Sequence, residues 1–248
     1  MAAFTAGTFS RWETSYVLGV VCTAILTGSA HVVGASPEAR DRVVIRVYNA
    51  IGIPEASLAR ALPVAVKAIE RAGIQAGWRN CVVGGHPTAS ASDPCEDLLD
   101  GDEVVVRIIS APTSGPGLST IPADTLGFSY VDSDAASGVL ATVYADRVLT
   151  MAARAGGDFP RLLGNTIAHE VGHLLLGTPA HASTGLMRAL WADAEVERYV
   201  DHDWTFSKAE ASAMRRNLAA RRRMNTRPGL VTADGGARTE SDADADRR

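Results

Sequence analysis

His169 and His173, four residues apart with Glu170 beside the first, are the side chains of this chain best equipped for chemistry. On a helix that spacing projects both imidazoles from one face, one turn apart, where they can share a cation. Zinc accepts imidazole nitrogen at about 2.0–2.1 Å, and a catalytic zinc site keeps one position for water. A carboxylate next to the first ligand stands where it can take a proton from that water. The H-E-x-x-H pattern therefore points to a zinc-dependent hydrolase, and to a peptidase before other kinds. Its plain alternative is a buried helix whose histidines make ordinary hydrogen bonds.

The surrounding residues fit a helix over about 160–176. Asp158 and Pro160 are start signals, the run from Leu162 to Leu176 is apolar at helical spacing, and Gly177 is a natural stop. The Gly177-Thr-Pro-Ala segment re-aims the chain, so His181 can turn back toward the same metal. A solvated loop histidine is the competing account of His181. Other candidates for a third ligand are Glu195, Asp193, Asp201, His202 and Asp203. Glu195 would make a His-His-Glu site with its carboxylate on a second helix. The neighbourhood of His202 reads better as a solvated acidic turn.

The segment resembles the active-site helix of the metzincin metallopeptidases, whose pattern is H-E-x-x-H-x-x-G-x-x-H followed by a methionine turn. Carried over by position, the resemblance makes His169, His173 and His181 the zinc ligands and Glu170 the general base. Gly177 becomes the turn glycine and Met187 the methionine beneath the metal. Here the glycine falls one residue later than in the family's pattern and the last histidine two residues later. The tyrosine that some metzincins carry two positions after the methionine is Ala189 in this chain. Leu186 and Met187 also make sense simply as core side chains. The resemblance implies an α+β fold: a twisted mixed sheet of about five strands, an active-site helix beneath it, and a C-terminal helix. It further implies that the strand near 127–131 is the edge that pairs with an extended peptide or protein substrate. The loop at 182–191 would then form the specificity pocket, with Arg188, Leu190 and Trp191 as candidates. Trp191 is equally well explained as core.

Composition narrows the alternatives. The chain has 248 residues, 24 basic and 28 acidic, for a net charge of −4. That balance offers no polycation for nucleic acid, and no aromatic-basic interleaving is present. Arg11 precedes an apolar run from Tyr16 to Leu26, and small residues follow through Ala30 and Ala35. Residues 1–35 thus read as a secretory signal peptide, with a polar start that includes Glu13. The run is short of the roughly 20 residues a membrane helix needs, so membrane association requires that this segment stay uncleaved as an anchor. A secreted or extracytoplasmic protein is expected, and Cys81 and Cys95, in a Gly/Pro/Ser-rich loop, are then expected to form a disulfide. Two free thiols would be the cytoplasmic alternative.

Between leader and tail, residues 42–224 suffice for one domain with its own core. Strands are expected at 42–48, 74–83, 103–110, 127–132 and 139–144, with helices at 54–72 and 147–155. A last helix begins near Ser207, where Ser207 and Glu210 form a capping box. Its basic end, Arg215 to Arg223, suits a helix C-terminus. Residues 225–248 are polar and without apolar period, and are expected to be disordered. Two other functions compete with a peptidase: an exported zinc-binding or interaction protein without turnover, and a zinc hydrolase acting on a non-peptide amide. Glu170 argues against the first, since a purely structural zinc needs no adjacent base and normally has four closed ligands.

Overall fold

A computed structural model describes residues 41–82, 94–112, 122 and 124–225; the side chains of residues 201 and 225 are outside the description. The expected leader and nearly all of the expected tail fall outside the described residues, as do residues 83–93, 113–121 and 123. The chain runs β1 (Arg42–Asn49), α1 (Glu55–Arg71), β2 (Gln75–Cys81), β3 (Glu103–Ile109), β4 (Gly127–Asp132), β5 (Ser137–Tyr144), α2 (Ala145–Ala155), α3 (Phe159–Leu176), α4 (Asp193–Arg198) and α5 (Lys208–Asn225). It is an α+β fold with one mixed five-stranded sheet in the order β2-β1-β3-β5-β4.

Alternation in the strands decides which residues face the helices. Val43, Ile45 and Val47 of β1 and Val104, Val106 and Ile108 of β3 are all at most 1% exposed and join one apolar cluster with the helices. β1, β2, β3 and β5 pair in parallel, as connections through intervening segments allow. β4 and β5 form an antiparallel hairpin, which makes β4 the sheet edge. The Asp132 carboxylate accepts from the amides of Asp134 and Ala135 (3.0 Å each) and tightens the hairpin turn.

α3 packs against α1, α2 and α5 and lies across β4 and β5. Fifteen of its residues are buried, from Pro160 and then Leu162 to Leu175 without a break. α5 is fixed at the end of α3, where Asn217 Nδ2 donates to the Leu176 carbonyl (2.9 Å). Its own start is the reciprocal Ser207–Glu210 capping box, with bonds of 2.7 and 3.2 Å.

Two departures from the sequence analysis matter. α2 begins directly at Ala145, with no break after β5. The stretch expected to be loop up to residue 207 contains α4, a six-residue helix too short to show an apolar period. Glu195 starts it by accepting from the Ala192 amide (2.8 Å). Among the described residues no helix is long and apolar enough to cross a membrane. Cys81 and Cys95 are bridged, with Cα atoms 5.7 Å apart, tying the end of β2 to the segment before β3.

Candidate metal centre

α3 is held at both ends by the residues expected to do so. The Asp158 side chain accepts from the Arg161 amide (3.0 Å), with Pro160 in the first turn. At the other end Gly177 adopts a left-handed conformation (φ 64°) and donates its N–H to the His173 carbonyl (2.9 Å). His169, Glu170 and His173 lie in between and are only 7%, 4% and 5% exposed.

The two helical imidazoles face each other with Nε2 atoms 3.1 Å apart. His169 Nδ1 is 2.8 Å from the Leu186 carbonyl, and His173 Nδ1 is 2.8 Å from the Thr178 carbonyl. A carbonyl only accepts, so each Nδ1 carries the proton and each Nε2 presents a lone pair. Neither Nε2 can then donate to the other, and the contact is satisfied only by a cation between them. Two nitrogens on a tetrahedral zinc would stand about 3.3 Å apart, close to what the chain provides.

His181 completes the group. The ligand nitrogens of His169, His173 and His181 all lie within 4.8 Å of one another. Its ring is 5.3 Å from that of His169 and 4.8 Å from that of His173. Burial pushes the His169 pKa down to about 3, helped by His173 and His181. His173 and His181 are lowered by burial as well. All three rings are therefore neutral at pH 7, the state that binds a metal.

Glu170 behaves in the opposite sense. Burial raises its carboxyl to about 7, against the lowering effect of a hydrogen bond from Ser129. Ser129 Oγ is 2.7 Å from Glu170 Oε2 and 2.8 Å from the Glu170 carbonyl. β4 passes so close that a Cβ on Gly127 would stand 2.8 Å from Glu170 Oε1. Sequence reasoning did not single out Ser129. Its only signal is parity: Gly127 and Ser129 are small, alternate residues on one face of an edge strand, while Phe128 and Tyr130 pair on the other.

The loop after α3 is tied down from both sides. Ala182 N donates to the Met187 carbonyl (2.8 Å), and Leu186 N donates to the Thr205 carbonyl (2.9 Å). Leu186 and Met187 are buried at 0% and 1%. Met187 lies against the helix where Gly172 leaves room: a Cβ there would be 2.7 Å from Met187 Sδ and 2.6 Å from Phe206. Trp191 meets His169 edge-on at 5.5 Å and Trp204 at 4.7 Å.

The remaining ligand candidates are engaged elsewhere. Glu195 pairs with Arg188 as well as capping α4. Asp193 pairs with Arg154 at 2.8 Å, and His202 with its neighbour Asp203 on the exposed surface. The Asp201 side chain is outside the described residues. A cleft of about 870 Å³ opens over the cluster, lined by His169, Glu170, His181, Gly127, Arg188, Trp191 and their neighbours.

No protein-family model and no curated protein matches the sequence. Among solved structures the chain is similar to an archaemetzincin from Methanopyrus kandleri. The two share 16% identity at a TM-score of 0.48, over 75% of this chain and 99% of that one. What the centre can do follows from its own geometry. Three neutral imidazoles, a buried carboxylate with raised proton affinity and an open cleft suit metal-assisted hydrolysis.

Proposed function

We propose that this protein is an exported zinc metallopeptidase in which His169, His173 and His181 hold the metal and Glu170 is the general base. The observation that carries the proposal is the 3.1 Å approach of two Nε2 lone pairs, each imposed by an Nδ1 hydrogen bond to a carbonyl. Bound zinc supplies Lewis-acid chemistry, acidifying a water and polarising a carbonyl. The chain supplies the rest. Ser129 holds Glu170 Oε2, leaving the carboxylate oriented to take a proton from the attacking water and pass it to the departing amine. A proton affinity poised near neutrality lets one group perform both transfers.

Substrate binding is assigned to β4, whose outer side has no strand partner among the described residues. An extended peptide adding there would run past Gly127 and Ser129, directly over Glu170. The Met187 loop, with Arg188, Leu190 and Trp191, would receive a side chain of that peptide. The Cys81–Cys95 disulfide supports an oxidising, extracytoplasmic location.

The test is zinc content together with cleavage of casein and a peptide library, for the native chain and for Glu170→Gln. Zinc retained in both, with cleavage only in the native chain, is the expected result. Zinc without cleavage in either protein makes this a binding module. A chain that takes up no zinc removes the proposal altogether.

A further inference from the structure

The strand that turns Ser129 toward the metal centre turns two aromatic rings the other way. Phe128 and Tyr130, alternate residues of β4, meet edge to face at 5.1 Å on the side away from Glu170. Phe128 is half-buried, and Tyr130 is 57% exposed. We infer that Tyr130, supported by Phe128, is a specificity-determining residue. It receives an aromatic or large apolar side chain of the substrate, next to the side chain that enters the Met187 loop. The inference rests on the reading of β4 as the edge to which a peptide adds, and it names the class of peptide that this edge takes.

Strand geometry assigns the faces. Side chains opposite each other in paired strands share a face, so a peptide added to β4 alternates in step with it. Peptide residues opposite Gly127 or Ser129 turn toward Glu170 and the cleft. Their immediate neighbours turn the other way, where Phe128 and Tyr130 are the cross-strand partners. The two rings are in position before a peptide arrives. Phe128 packs against Tyr144 at 5.9 Å, Tyr144 is 2% exposed, and Arg147 lies over the Tyr144 ring at 5.0 Å. Arg147 is itself tied to the carbonyls of Pro122 (2.7 Å) and Thr125 (2.9 Å). Along β5, Phe128 and Tyr130 pair with Thr142 and Leu140, and the register shifts just beyond, between Tyr130 and Val131. Such a bulge interrupts the ladder and bends the strand, so Tyr130 stands at the last regular position of this edge. Tyrosine offers a large amphipathic face at little cost in conformational freedom. Aromatic side chains paired across strands add to what backbone pairing contributes.

The experiment reads binding and needs no turnover: fluorescence anisotropy with the full-length Glu170→Gln chain, with and without zinc. One probe is a fluorescein-labelled seven-residue peptide of serine and alanine with leucine at its centre. The other is the same peptide with tyrosine on both sides of the leucine. The tyrosine peptide should bind about two- to tenfold tighter. Adding Tyr130→Thr, which keeps a strand-forming residue, should bring the ratio of the two affinities to about one, and Tyr130→Phe should preserve it. A purely structural ring would weaken both peptides alike and leave the ratio intact in Tyr130→Thr, which would overturn the assignment. Equal binding of the two peptides before Tyr130 is changed would overturn it as well, while leaving β4 as the peptide edge. Binding of neither peptide would remove the edge and the assignment together. The peptidase reading fails on other evidence, a chain without zinc or without cleavage, and neither result alters the affinity ratio.

Discussion

Replacing Ser129 by alanine removes the hydroxyl that reaches both the side-chain Oε2 and the backbone carbonyl of the proposed base. Only its bond to Oε2 bears on the base's proton affinity. Ser129 Oγ sits 2.7 Å from Glu170 Oε2, and that bond opposes the burial that raises the carboxyl to about 7. A hydrogen bond to a charged acceptor contributes about 1.5–3 kcal/mol. Since one pKa unit corresponds to about 1.4 kcal/mol, its loss should lift the Glu170 carboxyl by about one to two units. The base acts as a carboxylate, so the acid limb of kcat/KM moves to higher pH by the same amount while the alkaline plateau holds. Zinc in the site lowers the limb of both proteins through its charge, and the difference between them survives. The assay is kcat/KM on a fluorogenic peptide from about pH 5 to 9 for zinc-loaded native, Ser129→Ala and Ser129→Thr proteins. Threonine keeps a hydroxyl and should keep the native limb. An unmoved limb with a lowered plateau in Ser129→Ala would mean that Ser129 only braces β4, and the reasoning fails.

Other expectations follow from the same geometry. His181→Ala removes one of the three imidazoles and should lower zinc affinity by more than the roughly 10–100-fold typical of losing an outer-shell partner; competition with a chromogenic chelator measures it. The metal-free chain should be acid-sensitive because burial depresses His169 from 6.5 to about 3. Its contribution to stability is complete above about 6.5 and drains away as pH falls toward 3. Glu170, raised from 4.5 to about 7, has the opposite sign: its contribution is complete below 4.5 and is lost as pH rises through 7. Metal-free Glu170→Gln should therefore show a urea midpoint that falls steadily below about pH 6.5, and a flat midpoint down to about pH 4 would contradict the account. Gly172→Ala would press a methyl against Met187 Sδ and Phe206, and should cost about 1–3 kcal/mol, read as a lower Tm with zinc present.

The parts legible in the sequence are those set by local chemistry. Runs of β-branched residues at Val43–Val47 and Val104–Ile108, each interrupted by a single arginine, mark the central strands. Asp158, Pro160 and Gly177 bounded the histidine helix because caps and stops act within a few residues. What escaped depends on side-chain contacts that no periodicity records. Ser129 reaches Glu170 across 41 positions. α4 owes its start to a Glu195 side chain shared between the Ala192 amide and Arg188, an arrangement that exists only once the loop has folded. Glu195 is a candidate metal ligand in the sequence for the same reason that it makes a good cap: its carboxylate is a charged acceptor, here taken by the Ala192 amide and Arg188.

The spacing of Gly177 and His181, later than in the metzincin pattern, becomes intelligible when the loop is judged by its carbonyls instead of by residue counts. Thr178, the first residue past the helix stop, orients His173 through its carbonyl. Leu186, eight residues further on, orients His169 in the same way. Between them the loop carries His181 itself to the cluster. A single segment thus sets two tautomers and delivers a third ring, and its ends are pinned by the Ala182–Met187 and Leu186–Thr205 backbone bonds. An inserted residue is tolerated wherever those carbonyls stay in place. Lengthening the loop between Thr178 and His181 should consequently move only His181, whereas a cut between Met187 and Thr205 should release His169 from its Nδ1 partner and lower the affinity of the helical pair as well.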